Sequence, residues 1–161
     1  MTADGTTDIR PASYSAGIVL YRRRPGLEVL LVHPGGPYWR KRDAGAWQLP
    51  KGGVGPEEEP AAAALREFAE ETGAVLDAEP FPLGRVRQAG GKSVDAFAIE
   101  GELDADAIQS NLFEIEWPPG SGRRERFPEV DRARWMGLKE ARTMMLPSQQ
   151  PFLDRLAAML E

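Results

Sequence analysis

The 161-residue chain has no cysteine, which excludes a disulfide framework and any thiolate metal site and fits a reducing cytosol. It has no apolar run as long as a membrane span. Its first seventeen residues, MTADGTTDIRPASYSAG, include no apolar stretch of the signal-peptide kind. There is no excess of positive charge: the formal net charge is -5, which argues against a general nucleic-acid binder, so no stable nucleic-acid partner is expected. Internal repeats and low-complexity segments are also lacking. What is present is ordinary for a globular chain, 42% hydrophobic and 28% charged residues, in a length that buries one core. The expectation is a soluble, cytoplasmic protein without a membrane partner, with a flexible N-terminal segment at 1–13 and one domain over 14–161.

Two apolar, β-branched runs, YSAGIVLYRRR and LEVLLVHP, are joined by Arg24-Pro25-Gly26, the composition of a hairpin turn. After a glycine-bearing loop, AWQLP reads as a short strand leading into the glycine-rich KGGVGP. A helix is predicted from Pro60 to Thr72. Strands follow at PLGRVRQA and KSVDAFAIEG, parted by Gly90-Gly91, and then at NLFEIEW. PPGSGRRERFP reads as a loop and RARWMGL as a last strand. KEARTMM and QQPFLDRLAAML close the chain as helices. Strands flanking a central helix, with more helices at the end, predict an α/β fold in which a mixed central sheet is sandwiched between helices.

The central helix carries an unusual load. Glutamates 57, 58 and 59 precede it, where acids favour the positive end of a helix dipole. Pro60 suits the first turn and Gly73 a left-handed C-terminal cap. At about 100° per residue, Ala62, Leu65, Phe68, Ala69 and Thr72 form a stripe expected to pack on the sheet. Glu67, Glu70 and Glu71 lie at i, i+3 and i+4 and are expected to share the opposite face. Carboxylates stacked this way, without lysines at i+4, repel one another. Either the helix has a plain acidic outer face, or a divalent cation relieves the repulsion; oxygen ligands suit Mg²⁺ or Mn²⁺.

Read outward, the segment is Gly52, five residues, Glu58, seven residues, then Arg66-Glu67-Phe68-Ala69-Glu70-Glu71-Thr72-Gly73-Ala74. It resembles the signature of the Nudix hydrolases, G-x5-E-x7-R-E-U-x-E-E-x-G-U with U apolar, at every fixed position; Ala74 is a small choice for the last apolar slot. Seven fixed letters at ordinary residue usage arise by chance on the order of 10⁻⁹ times per starting point. The resemblance implies an α/β/α sandwich and the cleavage of a diphosphate linkage in a nucleoside diphosphate derivative, with Mg²⁺ or Mn²⁺. By position it implies that Glu67, Glu70 and Glu71 bind metal together with the backbone carbonyl of Lys51. Arg66 would orient Glu67, and Glu58 would anchor the loop or bind a further metal. Glu67, Glu70 and Arg66 are thus the catalytic candidates inside the signature, and Gly52 and Gly53 give a backbone that substrate approaches closely. Many relatives use a further, late glutamate, for which Glu129, Glu116 and Glu114 are the candidates. Glu129 is taken first, with a rim carboxylate pairing Arg132 or Arg134 as its alternative. Glu114 and Glu116 share one face of a predicted strand, which a plain polar face also explains.

Other residues point to substrate. Lys51, in WQLPKGG, is similar to a lysine of relatives that handle dinucleoside or diphosphoinositol polyphosphates and is a candidate phosphate contact. Tyr38, Trp39 and Arg40 are candidates to stack a base and hold phosphate, as are Trp117 with Arg123, Arg124 and Arg126; either loop could serve, or be plain surface. His33, the one histidine, is an acid–base candidate that a packing role explains as well. The first substrate choice is a dinucleoside polyphosphate such as diadenosine tetraphosphate. The alternatives are a modified nucleoside triphosphate such as 8-oxo-dGTP, a nucleotide sugar such as ADP-ribose, a non-catalytic nucleotide sensor, or an RNA-end module. Many relatives pair, so a homodimer is a further expectation.

Overall fold

The computed structural model describes residues 14–161; the segment 1–13 expected to be flexible lies outside the described residues. The chain runs β1 (Tyr14–Arg23), β2 (Leu27–Pro34), β3 (Lys51–Gly53), α1 (Pro60–Thr72), β4 (Phe81–Arg87), β5 (Ser93–Glu100), β6 (Leu112–Glu116), β7 (Arg124–Pro128), β8 (Val130–Gly137), α2 (Leu138–Met144) and α3 (Pro151–Met159).

The main sheet has the order β4-β5-β1-β2-β8, with β3 paired to β1. It is mixed, since β1 and β5 run parallel while the other pairs are antiparallel. The nearly continuous apolar run of β1 follows from its central place, buried on both faces. On one face, Ala16, Ile18, Leu20, Leu30 and Val32 pack against Ala63, Ala64 and Phe68 of α1. On the other, Val19, Val29, Leu31 and Met136 pack against Ala141 of α2 and Phe152, Leu153 and Leu156 of α3. The result is the predicted α/β/α sandwich.

Three local expectations are corrected. AWQLP is no strand: Trp47 and Gln48 make single bridges to Met145 and Val32, and the paired strand is Lys51–Gly53, inside the glycine-rich run. PPGSGRRERFP is not all loop, because Arg124–Pro128 folds back on β6 as a separate two-stranded hairpin. In β6 only every second residue is half-buried, the pattern of a hairpin covered on one side. The buried stripe of α1 is also rotated. It comprises Ala63, Ala64, Phe68, Glu71 and Thr72, while Ala62 is exposed and Leu65 half-buried. Glu71 therefore faces inward rather than sharing an outer face with Glu70. The predicted punctuation is present, with Pro60 in the first turn and Gly73 as the left-handed cap at φ 80°.

Candidate active site

The site is assembled where β3 meets α1. β3 pairs with β1, placing Lys51 opposite Gly17 and Gly52 opposite Ala16. Gly52 lies so close to α1 that a Cβ there would overlap the Glu67 carboxylate, whereas a Cβ on Gly17 would collide with that of Lys51. Strand alternation thus turns position 52 toward α1 and sends the Lys51 side chain to the α2–α3 face. Glycine is required at 52 because the carboxylate occupies the space of a side chain.

Glu67 and Glu71, one helical turn apart, point to this strand end, and Glu129, between β7 and β8, completes a trio. One carboxylate oxygen from each lies within 4.8 Å of the other two. Glu71 is 6% exposed. Its pKa is raised to about 8, first by burial and then by the charges of Glu129 and Glu67; a hydrogen bond from the Lys51 backbone opposes this. Burial also raises Glu67 and Glu129, with Glu70 adding to both; Arg66 works against the rise at Glu67 and a hydrogen bond from Asn111 against that at Glu129. Like charges brought together out of water favour protonation, and a hard divalent cation removes the same conflict. The donor set is all carboxylate oxygen and suits Mg²⁺ or Mn²⁺ chemically.

Arg66 organises the rim. Its Nε and Nη2 donate to Glu58 at 2.8 and 2.9 Å, and Nη2 also to the Gly53 carbonyl at 2.9 Å. Its Nη1 donates to Glu67 at 3.0 Å and to Glu70 at 3.1 Å. Glu58 in turn accepts from the Gly55 amide at 3.0 Å, closing the loop between β3 and α1. Glu70 lies outside the trio, with 41% of its side chain exposed and an ion pair to Arg66.

The remaining candidates divide clearly. Glu114 pairs with Arg124 and Arg126 on the hairpin, and Glu116 accepts the Gly120 and Gly122 amides of its turn at 2.8 and 3.2 Å. Neither belongs to the acid trio. His33 is within β2, fully buried, with Asp131 at 2.9 Å from Nδ1 and the Arg42 carbonyl at 2.6 Å from Nε2; it braces the loop that follows and does not line the acids. Lys51 ties to Glu71 through its backbone, while burial lowers the pKa of its ammonium and neighbouring Lys92 adds to that lowering. A small cavity of about 70 Å³ is lined by Lys51, Glu71, Glu129 and Gln48. A hollow of about 490 Å³, lined by Pro60, Arg85, Asp95 and Phe97, lies apart from the acids at the start of α1. Tyr38 and Trp117, from the two loops offered as alternatives, touch each other.

Sequence reasoning did not find Asn111. Its amide donates to the Glu70 carbonyl at 2.8 Å and its carbonyl accepts from the Glu129 amide at 3.0 Å, fastening the late glutamate to the end of α1. No spacing rule signals a residue that holds Glu129 through both its backbone and its side chain.

Known proteins resemble this chain in sequence and in fold. A NUDIX domain family model matches residues 12–156. An RNA pyrophosphohydrolase of Acidiphilium cryptum is 31% identical over 125 residues, covering 69% of each chain. An RNA pyrophosphohydrolase of Caulobacter vibrioides is 47% identical over 57 residues, a third of its length. Among solved structures, the Ap4A hydrolase binary complex of C. elegans superposes with a TM-score of 0.64 at 23% identity, covering 91% of this chain and 97% of that one. The NUDIX domain of Shewanella oneidensis NrtR complexed with ADP ribose gives 0.65 at 19% identity, covering 100% and 94%. Both structural likenesses are of fold.

Proposed function

The chain belongs to the Nudix family, and on that premise we propose that it is a pyrophosphohydrolase in which Glu67, Glu71 and Glu129 hold Mg²⁺ or Mn²⁺ and the substrate is a nucleotide polyphosphate. Nudix enzymes act on acid anhydrides and use divalent cations. The observation that carries the site assignment is the trio itself: three glutamates with raised pKa values converge, and neither Glu71 nor Glu129 has a salt-bridge partner among the described residues.

A cation held by Glu67, Glu71 and Glu129 would supply Lewis-acid polarisation of a phosphoryl oxygen and an activated water. The chain's own residues do the rest. Arg66 fixes the Glu67 carboxylate in one orientation and opposes the rise that burial imposes on its pKa, which favours its taking a proton from water. Glu129, anchored through Asn111, is the second carboxylate in reach of that position, and Glu70 adds negative charge behind it. Glu58, clamped by Arg66 and the Gly55 amide, fixes the loop that joins β3 to α1. A dinucleoside polyphosphate such as diadenosine tetraphosphate is the first substrate choice, supported by the likeness of WQLPKGG, around Lys51, to relatives that handle such compounds. A second reading, removal of pyrophosphate from RNA, is favoured by the curated relatives and by two basic runs at 40–42 and 123–126.

The test is product release across diadenosine tetraphosphate, 5′-triphosphorylated RNA, 8-oxo-dGTP and ADP-ribose, with Mg²⁺ and with Mn²⁺, for the wild type and Glu71→Gln. Metal-dependent turnover that Glu71→Gln abolishes is the expected result. Undiminished turnover in that variant would refute the trio. A nucleotide that raises the melting temperature without being cleaved would make the protein a sensor.

A further inference from the structure

The end of β2 and the start of β8 meet at an irregularity. The strands pair residue for residue from Glu28 opposite Gly137 to His33 opposite Arg132, and then Pro34 pairs with Val130. Asp131 is therefore an extra residue on β8, which makes a bulge. Its effect falls on what precedes it in the chain. Val130 packs with Val32 and Ala133 on the α1 face of the sheet. Without the extra residue the register would slip by one, turning position 130 to the opposite face and carrying Glu129 with it.

His33 reaches that extra residue. Its Nδ1 lies 2.9 Å from the Asp131 carboxylate and its Nε2 2.6 Å from the Arg42 carbonyl, and none of its side chain is exposed. The Trp47 ring stands edge to face with the imidazole, centroids 5.3 Å apart, so the ring is fixed on three sides. Arg132 Nε is 3.6 Å from Asp131, beyond hydrogen-bond length, which leaves His33 with the shorter contact. Just past His33, the Gly35 amide donates to the Glu129 carbonyl at 2.9 Å, and a Cβ on Gly35 would overlap the Pro128 carbonyl. The end of β2 thus grips the chain on both sides of Glu129.

We propose that His33 is a positioning residue for the metal site: through Asp131 it fixes the bulge in β8 that sets where Glu129 meets Glu67 and Glu71. The inference rests on the pyrophosphohydrolase reading above. The three acids differ in what holds them. Glu67 and Glu71 are set one turn apart by α1 itself, whereas Glu129 falls between β7 and β8 and belongs to no element. A ligand carried on such a segment needs outside support to keep its geometry. Asn111 supplies it from the side of α1, and the end of β2 supplies it from the other. Bulges beside active sites re-aim a side chain in this way.

The two halves of the imidazole can be tested apart. Asparagine places its amide nitrogen about where Nδ1 stands, and glutamine about where Nε2 stands. His33→Asn therefore keeps a donor for Asp131, and His33→Gln keeps one only for the Arg42 carbonyl. The test is the Kd for Mn²⁺ alone, read by electron paramagnetic resonance, with kcat and KM on whichever nucleotide of the panel is cleaved fastest. It compares wild type, both His33 variants, Asp131→Ala and the double variant His33→Gln/Asp131→Ala. The Kd for Mn²⁺ is expected to rise about tenfold or more in His33→Gln and in Asp131→Ala, with kcat falling and KM within about twofold. His33→Asn should stay within about threefold of wild type, and the double variant should be no worse than the weaker single, as two residues acting in series require. An unmoved Kd in Asp131→Ala, equal losses in His33→Asn and His33→Gln, or additive losses in the double variant overturns the proposal. Asp131 lies at the surface end of the contact and decides alone if a His33 variant does not fold. Binding of Mn²⁺ that Glu71→Gln abolishes but His33→Gln leaves unmoved defeats this proposal and spares the metal site. A wild type that binds no Mn²⁺ defeats the metal site itself, and the proposal with it.

Discussion

Glutamates 114 and 116 on the hairpin and glutamates 67, 71 and 129 at the strand end are the same side chain in opposite situations. On the hairpin the acids are exposed and satisfied. Arg124 and Arg126 hold Glu114 below the usual carboxylate range, and two turn amides cap Glu116. At the strand end the acids are withdrawn from water and face one another, and Glu71 is driven up to about 8. A carboxylate paired at the surface contributes little and tolerates change. A buried one without a cation keeps a standing electrostatic conflict, and such conflicts gather at functional sites. The contrast separates the acids proposed to hold metal from the merely acidic ones.

The comparison breaks most visibly in turnover. Glu71→Gln is expected to cost about 10³-fold in kcat/KM, corresponding to several kcal/mol of lost charge stabilisation, while Glu114→Gln stays within about twofold in the same assay. Next in size is stabilisation by metal: saturating Mg²⁺ or Mn²⁺ at about 100 times its Kd should add about 2.7 kcal/mol to unfolding. Thermal melts with and without EDTA read this, and Glu71→Gln should lose most of the shift while Glu114→Gln keeps it. Arg66→Gln releases Glu58, Glu67 and Glu70 together and should lower kcat/KM by about 10- to 100-fold, as loss of a group that orients ligands does; an effect below twofold would remove Arg66 from the machinery.

Acidity sharpens the contrast further. The folded-state pKa of Glu71 lies above its unfolded value, so its contribution to stability is fully present below about 4.5 and is lost as pH rises through about 8. In EDTA, wild type should lose stability relative to Glu71→Gln across that window, by at most about 1.4 kcal/mol per pH unit. Parallel urea titrations at several pH values would show the two curves diverging; parallel curves would mean that Glu71 ionises normally. The smallest effect belongs to Glu116→Gln, which loosens one turn and should stay within about 1 kcal/mol of wild type in the same melts.

Much of this was legible in the sequence. The helix Pro60–Thr72, its caps and the signature across Gly52 to Ala74 were read directly, because local spacing and end chemistry decide them. The rotation of α1 was not. Alanine gives no strong apolar moment, and nothing nearby announces that Glu71 replaces a packing residue against β3. That Glu129, rather than Glu114 or Glu116, lies with Glu67 and Glu71 was visible only as a preference, since it depends on long-range bonds to Asn111. Strand β7 was hidden by the arginines and the Gly-Ser-Gly run preceding it, whose turn-forming character outweighed their pairing. The union of Tyr38 with Trp117 could not be read at all: it joins positions on two separate loops, with no periodicity linking them.

The parallel pairing of β1 with β5 sets Tyr14 against Ser93, and the acid trio reaches from Glu67 to Glu129. Considered in the order in which the chain is made, the signature helix is complete long before its site exists. A growing chain that ends just past Gly73 has two of the three acids and no Asn111 to position the third. Contacts of such long range close late. The conflict among the helix acids is therefore only partial while the early segments assemble, and it is completed when Glu129 arrives, after most of the core that must bear it is in place.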